Sequence, residues 1–102
     1  MSKIAKTPEP PYYAIIFTSI RTDGDNGYAE AAKRIFEIAR QQPGFIGNEA
    51  ARQDVGISVS YWESLEAIRA WKEHPEHRKV QEIESVWYDE SRIRVCKVER
   101  DY

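Results

Sequence analysis

A single cysteine, Cys96, means that no intramolecular disulfide can form, and a reducing compartment suits that usage. Long apolar runs are missing as well. No stretch approaches the length of a membrane-spanning helix, and residues 1–11 carry no apolar h-region of a secretory signal. These absences predict a cytoplasmic protein with no membrane partner. Nor is one charge in excess: Lys and Arg total 15 against 17 Asp and Glu, a net charge of −2, and the basic residues form no stripe. That balance argues against nucleic acid as a partner and against an acidic interaction tail. Glycine is sparse at five residues, and neither a phosphate-cradling loop nor a Gly-x-Ser-x-Gly elbow is present. The one stretch suggestive of calcium, from Asp23 to Gly27, has Arg34 at its twelfth position, where a bidentate glutamate belongs. It reads as a turn and helix cap, with Asp25 or Asn26 as the capping side chain.

What is present is the pattern of one small globular domain. Pro8, Pro10 and Pro11 make residues 1–11 an extended lead into a domain over 12–102. Residues 12–20 are aromatic and β-branched, which predicts a strand. Tyr13, Ile15 and Phe17 fall on one side of it, and Tyr12, Ala14, Ile16 and Ile20 on the other. Apolar residues at helical spacing predict a helix over 28–41, ended by Pro43 and Gly44. Two strands follow, over 45–52 and 57–62, joined by a hairpin-sized connection. Ser64 caps a helix over 65–73; Pro75 cannot continue it but suits the first turn of another, running to about residue 88. A last strand is predicted over 92–99, with Ile93 and Val95 on one face and the Cys96 thiol buried and inert.

The order β, α, β, β, broken α, β predicts an α+β, ferredoxin-like βαββαβ fold, an antiparallel four-stranded sheet with its helices on one face. The other face cannot be fully polar, because the first strand is apolar on both sides. A bare patch of that kind is rarely tolerated in a monomer, so a homodimer packing sheet against sheet is expected.

Three stretches together resemble the antibiotic-biosynthesis monooxygenase family: residues 42–47 (Gln-Pro-Gly-Phe-Ile-Gly), residues 59–64 (Val-Ser-Tyr-Trp-Glu-Ser) and residues 67–77 (Ala-Ile-Arg-Ala-Trp-Lys-Glu-His-Pro-Glu-His). The resemblance covers roughly residues 12–99 and implies a dimeric α+β barrel, with haem-degrading monooxygenases among the relatives. It implies oxidation of a small aromatic substrate with dioxygen and no cofactor. Such members use a tryptophan at the Trp-Glu-Ser corner, matched by Trp62, an asparagine four residues earlier, where Ser58 stands, and a tyrosine six residues later, where Ile68 stands. Haem-degrading members use a helical tryptophan, matched by Trp71, and a ligand histidine about ten residues on, where Gln81 stands. His77 is then the expected ligand if haem is bound; no other metal is expected.

Dioxygen is a triplet, so an electron-rich aromatic must be deprotonated to supply an electron. The expected catalytic set is Trp62, a base (His77 or His74) and Arg92, or Arg94, to stabilise an enolate or phenolate. Trp71, Ser58, Ile68 and Phe17 are the expected substrate-binding residues. The competing expectation is a non-catalytic dimer that binds a small molecule, because Ser58, Ile68 and Gln81 depart from the family's pattern.

Overall fold

The computed structural model describes residues 3–102; residues 1 and 2 of the predicted lead lie outside that range. The elements run β1 (Tyr12–Arg21), α1 (Tyr28–Ala39), β2 (Phe45–Arg52), β3 (Gly56–Trp62), α2 (Leu65–Lys72), α3 (Pro75–Trp87) and β4 (Tyr88–Val98). The strands form one antiparallel sheet in the order β2-β3-β1-β4. This is the α+β, ferredoxin-like arrangement that the element order predicts, with the second helix broken in two.

Local chemistry explains the boundaries. Gly27, left-handed at φ 83°, holds the N-cap of α1 rather than Asp25 or Asn26, and the Asp25 carboxylate supports the first turn from two residues earlier, accepting from Gly27 N–H (3.0 Å) and Ala29 N–H (3.1 Å). Asn26 also takes a left-handed backbone (φ 51°) and donates to the Asp23 carbonyl. Ser64 Oγ accepts from Ala67 N–H at 3.0 Å and starts α2. His74 ends the extended corner, its Nδ1 accepting from Glu76 N–H at 3.2 Å, and Pro75 opens α3. Gly44 takes φ +85°, and its carbonyl accepts from Glu63 N–H at 2.8 Å. A Cβ there would stand 2.6 Å from the Ala67 Cβ, so only glycine lets the α1–β2 turn lie against α2.

The core sits between sheet and helices. Trp62 is fully buried (0% exposed), and Ala39, Ile68 and Trp71 are buried with it, flanked by Tyr13, Ile15 and Phe45. The opposite sheet face is covered at one end only. There the Tyr12 hydroxyl donates to Asp101 (2.5 Å), and the Ala5 N–H (2.9 Å) and Tyr61 hydroxyl (2.6 Å) donate to Glu49. Ile57 (47% exposed) and Ile20 (39%) remain bare.

Two expectations are corrected. β4 begins at Tyr88, not Arg92, directly from the end of α3. Asp89, Glu90 and Ser91 have low strand propensity, but pairing of 88–91 with β1 extends the strand regardless. The Cys96 thiol is exposed rather than buried, because β4 is an edge strand and Cys96 faces away from the helices, opposite Ala14.

Gly44→Ala should lower stability by about 2 kcal/mol or more, from the left-handed backbone and the Ala67 contact together. Urea unfolding followed by tryptophan fluorescence measures it; an unchanged midpoint would contradict the close packing of this turn.

Candidate active site

A cavity of about 500 Å³ lies between the helices and the inner sheet face, a size typical of small-molecule sites. Strand alternation decides what lines it. On β1 the inward residues are Ile15 and Phe17, on β3 Ser58, Ser60 and Trp62, and on β2 Ala50 and Arg52. Trp62 and Gly56 are the two ends of β3, their backbones about 20 Å apart at strand rise, and the Trp62 indole folds back to Ser60, so the two ends lie closer at the side chains. The hollow therefore has an indole end and an Arg52 end.

At the indole end three rings are layered. Trp71 stacks on Trp62 at 6.3 Å (22° between planes), and His77 stacks on Trp71 at 4.5 Å (8°). Trp62 Nε1 donates to Ser60 Oγ at 2.9 Å, so the buried indole N–H is satisfied. His77 Nδ1 lies 3.2 Å from the Trp71 carbonyl. A carbonyl only accepts, so Nδ1 carries the proton and Nε2 keeps the lone pair. Burial pushes the His77 pKa below its ordinary 6.5, outweighing the Trp71 carbonyl, which favours the charged ring; His74 and Lys72 lower it further. His77 is thus a neutral imidazole with a free basic nitrogen, walled by indoles.

At the other end Tyr28, Tyr88 and Arg52 line the hollow. Phe17 meets Tyr88 edge-on at 5.2 Å, and Tyr28 meets it at 5.6 Å. Burial pushes the Tyr88 phenol up, so it stays protonated.

Of the residues expected to form the site, Trp62, Trp71, His77, Ser58 and Phe17 come together on this wall. Three do not. Ile68 is turned into the buried cluster with Trp62 and Trp71. His74 contacts the Trp71 ring, but its Nδ1 lone pair is used by the α3 cap. Arg92 pairs with Thr18 and Arg94 with Ile16, both on the face away from the helices, since their neighbour Ile93 is the one that lines the hollow. The residues missed by sequence reasoning are Arg52, Tyr28 and Ser60. Only the polar alternation of Ser58 and Ser60 on an otherwise apolar strand hinted at an unfilled inner face. No cluster of three His, Cys, Asp or Glu with metal-binding geometry occurs among the described residues.

The model of the family described as antibiotic biosynthesis monooxygenase matches residues 11–83. The chain belongs to the antibiotic biosynthesis monooxygenase family. Among its relatives is YqjZ of Bacillus subtilis, an uncharacterized protein, 48% identical over 103 residues, covering 98% of this chain and 90% of that protein. Solved structures of similar fold include SnoaB from Streptomyces nogalater, described as a cofactor-independent oxygenase (TM-score 0.71, 11% identity, 91% of this chain and 96% of that one). PA3566 from Pseudomonas aeruginosa is similar too (TM-score 0.74, 8% identity, 94% and 100%). At these identities the structures show that this family member shares their fold.

In this monooxygenase-family protein the His77 imidazole should titrate with a midpoint below 6.5, read from its ring-proton NMR signals. The unfolded chain then binds the proton more readily than the folded one. His77's contribution to stability is present in full above pH 6.5 and is lost as pH falls toward and through the folded value. Unfolding midpoints measured from pH 7.5 to 5 should fall on acidification, and His77→Gln should flatten that slope.

Proposed function

We propose that this cavity catalyses cofactor-free monooxygenation of a small, flat, electron-rich aromatic by dioxygen. The observation that carries the reading is the neutral His77, its Nε2 lone pair free, stacked on Trp71 in an aromatic-walled hollow. In this mechanism His77 Nε2 takes a proton from the substrate, leaving an enolate or phenolate. That anion passes one electron to dioxygen, giving a substrate radical and superoxide. Their recombination forms the C–O bond, and the His77 proton completes a hydroperoxide. Loss of water leaves a carbonyl at the oxygenated carbon, so one oxygen atom enters the substrate and the other leaves as water. Trp62, Trp71 and Phe17 hold the ring system, and Ser58 offers a hydroxyl on the sheet floor. The dry walls strengthen every charge interaction formed as the anion develops.

The reading without haem is supported at one further position. The residue ten after Trp71, where haem-degrading relatives carry the ligand, is Gln81, which lines the cavity and brings no imidazole. His77 is the one wall residue with a nitrogen lone pair suited to iron. A haem titration tests it; a Soret shift lost in His77→Ala would favour haem chemistry instead.

The proposal includes a homodimer, with the domain over 12–102 as the working unit, residues 1–11 as its lead, and a cytoplasmic location. Ile16 and Val59 lie on the sheet face away from the helices, beside the exposed Ile20 and Ile57. Sealing these against a twin removes apolar area from water. Light scattering should give twice the 11.9 kDa chain mass. Ile57→Lys should shift that mass toward one chain.

Oxygen uptake with a panel of anthrones and hydroquinones tests the activity. His77→Ala should lower kcat by about 10²–10⁴-fold, the range of general-base contributions. The wild-type rate should rise with pH through a midpoint below 6.5, as the imidazole loses its proton. Absence of uptake on every compound in the panel would sink the reading.

A further inference from the structure

Arg52 is the only Lys or Arg among the residues lining the cavity. Its seat is built across three strands. Ser19 on β1, Gly56 on β3 and Arg52 on β2 form one row of the sheet. The Arg52 side chain lies across Gly56 and reaches Ser19, donating from Nη2 to its Oγ (2.5 Å) and from Nη1 to its carbonyl (3.3 Å). Ser19 is 2% exposed, a buried polar anchor for a guanidinium that itself stays open to the cavity mouth. A Cβ at residue 56 would fall 2.1 Å from Arg52 Cζ, so this seat exists only because residue 56 is glycine.

Two of the five guanidinium donors are used this way. Nε–H and one N–H on each terminal nitrogen have no partner among the described residues. Arg52 also makes no ion pair: those among the described residues are Arg34–Glu76 and Lys79–Glu76. Glu84, the one carboxylate on the cavity wall, is not paired with it. Arg21, two residues after Ser19 on β1, is committed elsewhere: it lies 3.6 Å over the Tyr28 ring and donates to the Trp87, Gly24 and Asp25 carbonyls.

We infer that Arg52, seated on Gly56 and anchored by Ser19, reads a carboxylate on the aromatic substrate at the end of the cavity opposite His77. The inference rests on the oxygenase reading and deepens it by naming a substrate class: flat aromatic acids, ring system against the indoles, carboxylate toward β2. A planar fork with unused donors matches a carboxylate in a way a lysine does not. Its fixed seat means little side-chain freedom is lost on binding.

The test compares 6-hydroxy-2-naphthoate with 2-naphthol, the same ring system with and without the carboxylate, by quenching of tryptophan fluorescence. In the wild-type protein the naphthoate should bind about tenfold tighter or more, the scale of a charge-assisted hydrogen bond. Arg52→Met should bring the two affinities to within about twofold while leaving 2-naphthol binding in place. Gly56→Ala should do the same although the arginine remains, because the added methyl displaces the guanidinium from Ser19. Arg52→Lys, which keeps the charge without the fork, should fall between and guards against a misfolded methionine variant. Equal affinities in the wild type, no binding of either compound, or a preference that survives both Arg52→Met and Gly56→Ala would overturn the inference. Oxygen uptake with neutral hydroquinones is separate. Turnover there without any carboxylate preference removes Arg52's role and leaves the oxygenase reading standing; a preference without turnover does the reverse.

Discussion

Three aromatic rings laid one upon another join the parts of this molecule: Trp62 from the end of β3, Trp71 from α2 and His77 from α3. Each ring comes from a different element, so the column ties the sheet to both halves of the broken helix. Two of its ring nitrogens are bonded locally, Trp62 Nε1 to Ser60 and His77 Nδ1 to the carbonyl of Trp71 itself. The break at Pro75 is what allows it. A continuous helix would fix residues 71 and 77 at regular helical positions of one rod, whereas the His74 corner lets α3 turn the imidazole flat onto the indole. The same contact that packs the core therefore sets which nitrogen of His77 is basic.

The sheet behaves differently on its two sides. Inward, small and polar residues on β3 (Ser58, Ser60) leave volume that larger side chains would have filled, and the hollow is the result. Outward, one end is closed by residues from the lead and the C-terminal segment. Glu49 accepts from Ala5 and Tyr61, and the Tyr61 phenol is pushed up to about 12, by burial first and by that carboxylate second. The far end, around Ile20 and Ile57, has no such cover within the chain's described residues.

Much of the architecture was legible in the sequence because it depends on local chemistry. The doubly apolar β1, the Ser64 cap and the Pro75 start all declare themselves within a few residues. The start of β4 did not, since Asp89, Glu90 and Ser91 look like a loop until β1 is placed beside them. The site divides in the same way. Trp62, Trp71 and His77 were visible as residue types, and the choice between His74 and His77 stayed open. It turns on which nitrogen meets a backbone N–H and which meets a carbonyl. Arg92 was attractive beside its aromatic neighbours, yet strand alternation sends it outward. Arg52 was invisible because its seat is assembled from residues 19, 52 and 56 by cross-strand register, and no linear pattern marks it.

α3 passes into β4 with no intervening loop, and that junction is clasped to β1 and the turn after it. Arg21 and Thr22 donate to the Trp87 carbonyl at 2.9 Å each, and the Thr22 hydroxyl donates to the Val86 carbonyl at 2.7 Å. The helical roof is thereby pinned at its Trp87 end. The opposite corner, where α2 meets α3, is held by the stack of His77 on Trp71 and by the His77 bond to the Trp71 carbonyl. The roof of the hollow is therefore anchored at both ends through tryptophan carbonyls, and its two ends are tied by the same kind of bond.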